Sequence, residues 1–412
     1  MIFFYDLALK IYWLILKIAS NFHPKAKKWM DGRKNYFEHL KSSIHSKKQG
    51  KRIWMHVSSL GEFEQGRPVV ENLLQKFPQL ELIVTFFSPS GYELRKNYDK
   101  ADYVFYLPLD TKKNARSFLE IVNPDLVLFV KYDFWFHFLN ESQQKNIPTF
   151  LISALFHKQQ SFFKWYGGIF RKILKNFTYV FVQDQNSYQL AKNIGVENLI
   201  LCGDTRIDRV IEIANETFSN EKVELFKSNK NIIIFGSSWD KEEEFLIQFL
   251  AEFKRPDWKF IIAPHDVSIE RINKLKKSLN ENCILFTNKN AFNNERILIL
   301  DTVGFLAKIY RYGKIAVIGG GFFEGIHSVL EPAAYNLPIL FGPKHQKFNE
   351  AFELLNSKGA FCFNNYDEFK THLLKLISNA EHYEISSQAS ENFIANGKGA
   401  SRKIIDVLDN YL

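Results

Sequence analysis

The sequence predicts an α/β protein made of two doubly wound, Rossmann-like halves with a linker between them and an amphipathic helix in front. Three observations carry this. From Arg52 onward, short apolar runs rich in β-branched and aromatic residues alternate with stretches of helical periodicity, the signature of βαβ units on a parallel sheet. After a charged, Asn-rich stretch between Asp208 and Lys230 the same alternation starts again. A chain of 412 residues also exceeds what one core holds comfortably at about 150 residues per domain, so two units are expected.

The amino terminus comes first. Ile2 to Ala19 is almost wholly apolar or aromatic, but Asp6, Lys10 and Lys17 interrupt it, and no run approaches the roughly 20 apolar residues a spanning helix needs. On a helical wheel those charges share a narrow stripe with Trp13 and Ser20, while Phe3, Phe4, Leu7, Leu9, Ile11, Leu14, Ile15 and Ile18 cover the rest. The pattern suits a helix lying in a bilayer interface. A secretory signal fits worse, having neither a basic segment before the apolar run nor a small-x-small cleavage site after it. Lys25, Lys27, Lys28, Arg33, Lys34, Lys41, Lys47, Lys48, Lys51 and Arg52 follow as a basic cluster that anionic cytoplasmic lipids would attract. The plainer alternative is a helix packed on its own protein with solvated lysines. No helix-turn-helix, RNP-like or zinc-finger pattern accompanies the charge, so nucleic acid is not expected as a partner.

Strands of the first half are expected at Ile53 to Val57, Leu80 to Phe86, Tyr103 to Leu107, Leu126 to Val130, Thr149 to Ile152 and Tyr179 to Val182. Those of the second are expected at Asn231 to Phe235, Lys259 to Ala263, Ile297 to Leu300, Ile315 to Ile318, Pro338 to Phe341 and Ala360 to Phe363. The resulting division is a helix over 1–22, a domain over 23–208, a second over 209–395, and a C-terminal helix over 396–412 that can pack back on the first. Hydrophobic residues make up 46% of the chain, enough for compact folding throughout. Cys202, Cys283 and Cys362 are far apart and odd in number, which argues against disulfides and a zinc site and for a reducing compartment. Two such halves imply a cleft, with ligands beyond the carboxyl ends of the strands.

The unusual residues lie in those loops. His56-Val57-Ser58-Ser59-Leu60-Gly61-Glu62 follows a buried strand and precedes a helix expected to start near Pro68, so Glu62 would project from a Gly-assisted loop as a general base. Taken alone, Glu62 reads better as a helix-start acid that balances the macrodipole. Lys131-Tyr132-Asp133-Phe134-Trp135 places a second carboxylate after a strand; Asp133 can orient an acceptor, tune Glu62, or cap the next helix. In Gly319-Gly320-Gly321-Phe322-Phe323-Glu324-Gly325-Ile326-His327-Ser328-Val329-Leu330-Glu331-Pro332 the glycines permit close backbone approach. A helix expected from near His327 would offer N–H groups to an anion, and Glu331 could accept from ribose hydroxyls. Gly236-Ser237-Ser238-Trp239 and Pro264-His265-Asp266 are smaller loops in the same series.

Together these residues resemble the 3-deoxy-D-manno-octulosonic acid (Kdo) transferases of lipopolysaccharide assembly, which have the GT-B fold. The likeness runs over nearly the whole chain. It rests on the N-terminal helix, Ser59 to Glu62, Leu107-Pro108-Leu109-Asp110, Asn123-Pro124, Gly203-Asp204-Thr205-Arg206-Ile207-Asp208, the glycine stretch ending in Leu330-Glu331-Pro332, and Gly342-Pro343.

By that resemblance the N-terminal half binds the acceptor and the C-terminal half the donor, CMP-Kdo. Glu62, with Asp133, would be catalytic: Glu62 deprotonates a hydroxyl of the lipid A precursor (lipid IVA) as it attacks the anomeric carbon, with inversion and departure of CMP. Ser58, Ser59, Gly61 and Lys131 would contact the acceptor. Ser237, Ser238, Pro264, His265, Gly320, Gly321, His327, Ser328 and Glu331 would hold the donor. No metal or cofactor is implied, and the expected place is the cytoplasmic face of the inner membrane of a Gram-negative bacterium. The chain departs from the family where Glu-Thr-Glu-Ile-Trp-Pro-Asn becomes Lys131-Tyr132-Asp133-Phe134-Trp135-Phe136-His137. Pro-Arg-His becomes Pro264-His265-Asp266, and Gly-Gly-His-Asn becomes Gly325-Ile326-His327-Ser328. Two alternatives stand beside this reading: another GT-B enzyme acting on a UDP-sugar (a glycosyltransferase or 2-epimerase), and a non-catalytic membrane-surface protein.

Overall fold

Each run of buried β-branched and aromatic residues forms a strand covered on both faces, as a parallel sheet demands. The computed structural model describes residues 2–45, 50–280, 283–288 and 295–412, so Lys47 and Lys48 of the basic cluster lie outside the described residues. The chain divides into two compact units, Met1–Asp208 with Gly399–Leu412, and Arg209–Lys398.

The first unit holds β1 (Arg52–Val57), β2 (Glu81–Phe86), β3 (Tyr103–Tyr106), β4 (Leu126–Val130), β5 (Thr149–Ala154), β6 (Tyr179–Val182) and β7 (Leu199–Leu201). They pair in parallel in the order β3-β2-β1-β4-β5-β6-β7. The period-2 alternation of strands sends Trp54, Val127 and Phe129 to one core and Met55, Leu128 and Val130 to the other. Ile404, Ile405 and Leu408 of the C-terminal helix (Ala400–Leu408) fill the second of these cores, and Asp208 accepts from Gly399 N and Ser401 N, both at 2.6 Å.

The second unit holds β8 (Asn231–Ser238), β9 (Trp258–Pro264), β10 (Ile284–Leu285), β11 (Ile297–Ile299), β12 (Ile315–Ile318), β13 (Ile339–Phe341) and β14 (Ala360–Cys362), in the order β10-β11-β9-β8-β12-β13-β14. The strand order reverses between β1 and β4 and between β8 and β12, so each sheet has a switch point flanked by the loop after its first strand. Strands β7 and β10, absent from the sequence reading, are edge strands of three and two residues, too short to show a periodicity.

The N-terminal helix (Ile2–Ala19) is docked on the first unit: Tyr5 donates to Asp110 Oδ2 at 2.5 Å, Asp6 meets His137 Nε2 at 2.7 Å, and Tyr12 stacks on Phe87. The stripe Tyr5, Leu9, Leu16 and Ala19 is partly buried, while Phe3, Phe4, Leu7, Ile11, Leu14, Ile15 and Ile18 are exposed. Among the described residues no helix is long and apolar enough to cross a membrane. Two members of the expected basic cluster are structural instead. Arg33 donates to the carbonyls of Leu107, Phe87 and Trp29 and lies over the Trp29 ring, and Arg52 is buried against Glu81 at 2.7 Å. A buried guanidinium needs such partners, so neither faces a lipid surface.

Candidate active site

In the first unit, β1 delivers the chain to Ser58, and Ser59 caps the helix Leu60–Lys76. The Glu62 carboxylate turns back so that Oε2 accepts from Ser58 N at 2.7 Å and Ser59 N at 2.9 Å, closing a capping box. Two expectations are corrected here. The helix starts eight residues before Pro68, which sits inside it, because Ser59 and Glu62 together satisfy the N–H groups that a helix start leaves free. Gly61 is a helical residue with open space around its Cβ direction, so no tight Gly-assisted turn carries Glu62.

Beside this helix start lies the end of β4. Lys131 takes a left-handed backbone conformation (φ 63°), and its charge favours ionised Glu62 against the burial that raises the Glu62 pKa. Asp133 is buried and accepts from the Ser58 hydroxyl, and its Oδ2 stands 3.7 Å from His56 Nε2. Both of those last atoms are buried without a hydrogen-bond partner. Burial first, and the charge of Glu62 second, hold the Asp133 pKa well above the ordinary carboxyl range, while burial pushes His56 down to about 3. Asp133 does not cap the next helix, Phe136–Gln144. Its leading N–H groups, those of His137 and Phe138, go to Asp110 at 3.1 and 3.0 Å. The structure therefore gathers Ser58, Ser59, Glu62, Lys131 and Asp133, and adds His56, whose burial could not be read from one strand.

The second unit repeats the arrangement. After β8 the helix Asp240–Glu252 begins, and Glu242 at its third position accepts from Trp239 N at 3.2 Å; burial pushes the Glu242 pKa up to about 7. Ser237 has φ 49° and is half-buried, but Ser238 is buried with its hydroxyl donating to Glu243 at 2.8 Å, so it is not presented as a ligand contact. Pro264 ends β9, and His265 N donates to Ser238 O at 3.0 Å, leaving the His265 ring exposed.

The glycine stretch also differs from expectation. The short helix is Leu330–Ala333, three residues later than expected, and His327 N donates to Gly319 O at 3.1 Å, so no helix N-terminus forms at His327. Glu331 lies in the first turn of that helix, and Ser328 is exposed. Gly321 is required by the loop after β13: a Cβ there would lie 2.5 Å from Gly342 Cα. Gly320 (φ 89°) uses the left-handed region that favours glycine. The rings of Phe323, Trp239, His265 and His327 form consecutive stacked pairs with centroids 4.8, 4.7 and 4.6 Å apart. Sequence reasoning gave no role to Trp239, Phe323 or Glu242; an acid three residues after Trp239 was the one visible signal.

Two tandem doubly wound parallel sheets with their polar loops at the carboxyl ends of the strands define the GT-B class. The fold is shared with the UDP-GlcNAc 2-epimerase of Neisseria meningitidis, with a TM-score of 0.63 at 16% identity over 87% of this chain and 100% of that one. Residues 33–209 match the family described as 3-deoxy-D-manno-octulosonic-acid transferase (kdotransferase). The 3-deoxy-D-manno-octulosonic acid transferase of Aquifex aeolicus is 26% identical over 82% of this chain and 90% of its own length. That of Rickettsia bellii is 28% identical over 87% and 86%. Over most of its length the chain is thus similar to glycosyltransferases of the Kdo transferase family.

Proposed function

We propose that this protein transfers Kdo from CMP-Kdo to a lipid A precursor, with Glu62 as general base. The supporting observation is the Glu62 carboxylate: it is half-buried, raised in pKa by that burial, and held by two N–H groups on one oxygen. Its other oxygen would take the proton of the acceptor hydroxyl as that oxygen bonds to the anomeric carbon and the bond to CMP breaks, inverting the centre. A base works best with a pKa drawn toward the working pH, which burial achieves here. On the donor side, Ser237, His265 and His327 are the groups that would meet the CMP phosphate.

The exposed apolar face of the N-terminal helix and the exposed Lys10, Lys17, Lys25, Lys27 and Lys28 support attachment to the cytoplasmic surface of the inner membrane, where the acceptor resides. Glu62→Gln tests the chemistry apart from the cap, because a glutamine can still close the capping box. The variant should fold normally yet release CMP from CMP-Kdo and lipid acceptor about 10²–10⁴-fold more slowly. Unchanged turnover would remove Glu62 as the base.

A further inference from the structure

We infer that Trp239 is a positioning residue that locks His327 in its Nδ1–H tautomer, so that an anionic donor meets a neutral, aimed N–H. The second clause rests on the donor-site reading above; the first does not. Trp239 Nε1 lies 3.2 Å from His327 Nε2. An indole N–H can only donate, so Nε2 must be the bare, accepting nitrogen, and the ring's single hydrogen is on Nδ1. An imidazolium, with a hydrogen on both nitrogens, cannot accept this bond.

The surroundings keep both rings in place. His327 stacks on His265 with centroids 4.6 Å apart and 28° between planes, and its backbone N–H is held by Gly319 O. A Cβ at position 320 would come within 3.1 Å of His327 Cδ2, so Gly320 leaves room for this ring position. Trp239 is stacked with His265 at 18° and with Phe323 at 25°, and its backbone N–H donates to the Glu242 carboxylate at 3.2 Å. Burial, and the neighbouring His265, push the His327 pKa down to about 4, which agrees with a neutral ring. The chemical consequence is recognition of a phosphate at this point by a directed hydrogen bond without a full counter-charge.

Nitrogen-15 spectra of the imidazoles in the ligand-free full-length protein test the first clause, with His327 assigned by its loss in His327→Asn. At pH 7 the wild type should show a protonated Nδ1 and a bare Nε2. Trp239→Phe keeps a ring in the stack but removes the N–H, and should transfer the hydrogen largely to Nε2. A wild-type ring protonated on Nε2, or a tautomer that ignores Trp239→Phe, overturns the inference. For the second clause CMP itself is the probe. The amide nitrogen of an asparagine falls near Nδ1 and that of a glutamine near Nε2, so His327→Asn should bind CMP about tenfold more tightly than His327→Gln, a difference of roughly 1.4 kcal/mol. Equal affinities overturn the aimed Nδ1–H. Failure of the wild type to bind CMP at all overturns the donor-site reading, while the tautomer result stands by itself.

Discussion

Ser58 stands between two carboxyl groups, giving its N–H to Glu62 and its hydroxyl to Asp133. Because the charge of Glu62 raises the Asp133 pKa on top of burial, Asp133 keeps its proton when Glu62 has lost its own. A base must be ionised, so turnover should rise with pH through the raised pKa of Glu62. In Asp133→Asn a neutral amide replaces a neutral acid, and the acidic limb of kcat/KM for CMP release should stay within about half a pH unit of the wild type. A downward move of a full unit would mean that Asp133 is ionised beside Glu62. At this scale the carboxylate after β1 was legible, while its capping pattern, Ser59 followed three residues later by Glu62, stood in the sequence unread. Pro68 drew the expected helix start away from it. The partnership of Asp133 with Ser58 and His56 was not legible, since it joins the ends of two strands far apart in the chain.

Helix starts carry the chemistry at the next scale. Glu242 has a folded pKa of about 7 against an ordinary 4.5, so the folded state binds the proton more tightly than the unfolded chain. Its contribution to stability is then intact below pH 4.5, is lost as pH rises toward 7, and changes little above that. Glu242→Gln cannot titrate and keeps an acceptor for Trp239 N. Thermal melts should show its advantage over wild type widening across that window, to on the order of 1–3 kcal/mol by pH 8. An advantage independent of pH would refute the assignment. The N-terminal helix makes a second prediction. Ile11 and Ile15 are 51% and 57% exposed, so replacing both with glutamate should leave the melting temperature nearly unchanged while abolishing co-sedimentation with anionic vesicles. Retained binding would assign attachment to another surface. The amphipathic stripe was visible from residue spacing, but Tyr5 and Asp6 gripping Asp110 and His137 were not.

For the molecule as a whole, the last helix completes a core laid down by the first unit. Leu408 is fully buried there beside Val69 and Leu73, so Leu408→Ala should cost roughly 2–5 kcal/mol in that unit. Hydrogen exchange should accelerate in β1, β2 and β4 and stay unchanged in β8, β9 and β12. Equal acceleration in both sets would show that the two units unfold as one.

The sequence by itself determined the type and order of the longer strands. A run such as Leu126 to Val130 can hide its apolar side chains only when both faces are covered, and strands of that kind separated by helical periods admit little besides a parallel α/β sheet. Tertiary structure alone decided which strand ends meet and which polar atoms share a proton. Ser58 and Asp133 are 75 residues apart, Trp239 and His327 88, and Asp208 and Gly399 191. Local periodicity carries no information at such separations; burial and hydrogen bonding, which set both tautomer and pKa, exist only once strand order has brought those groups together.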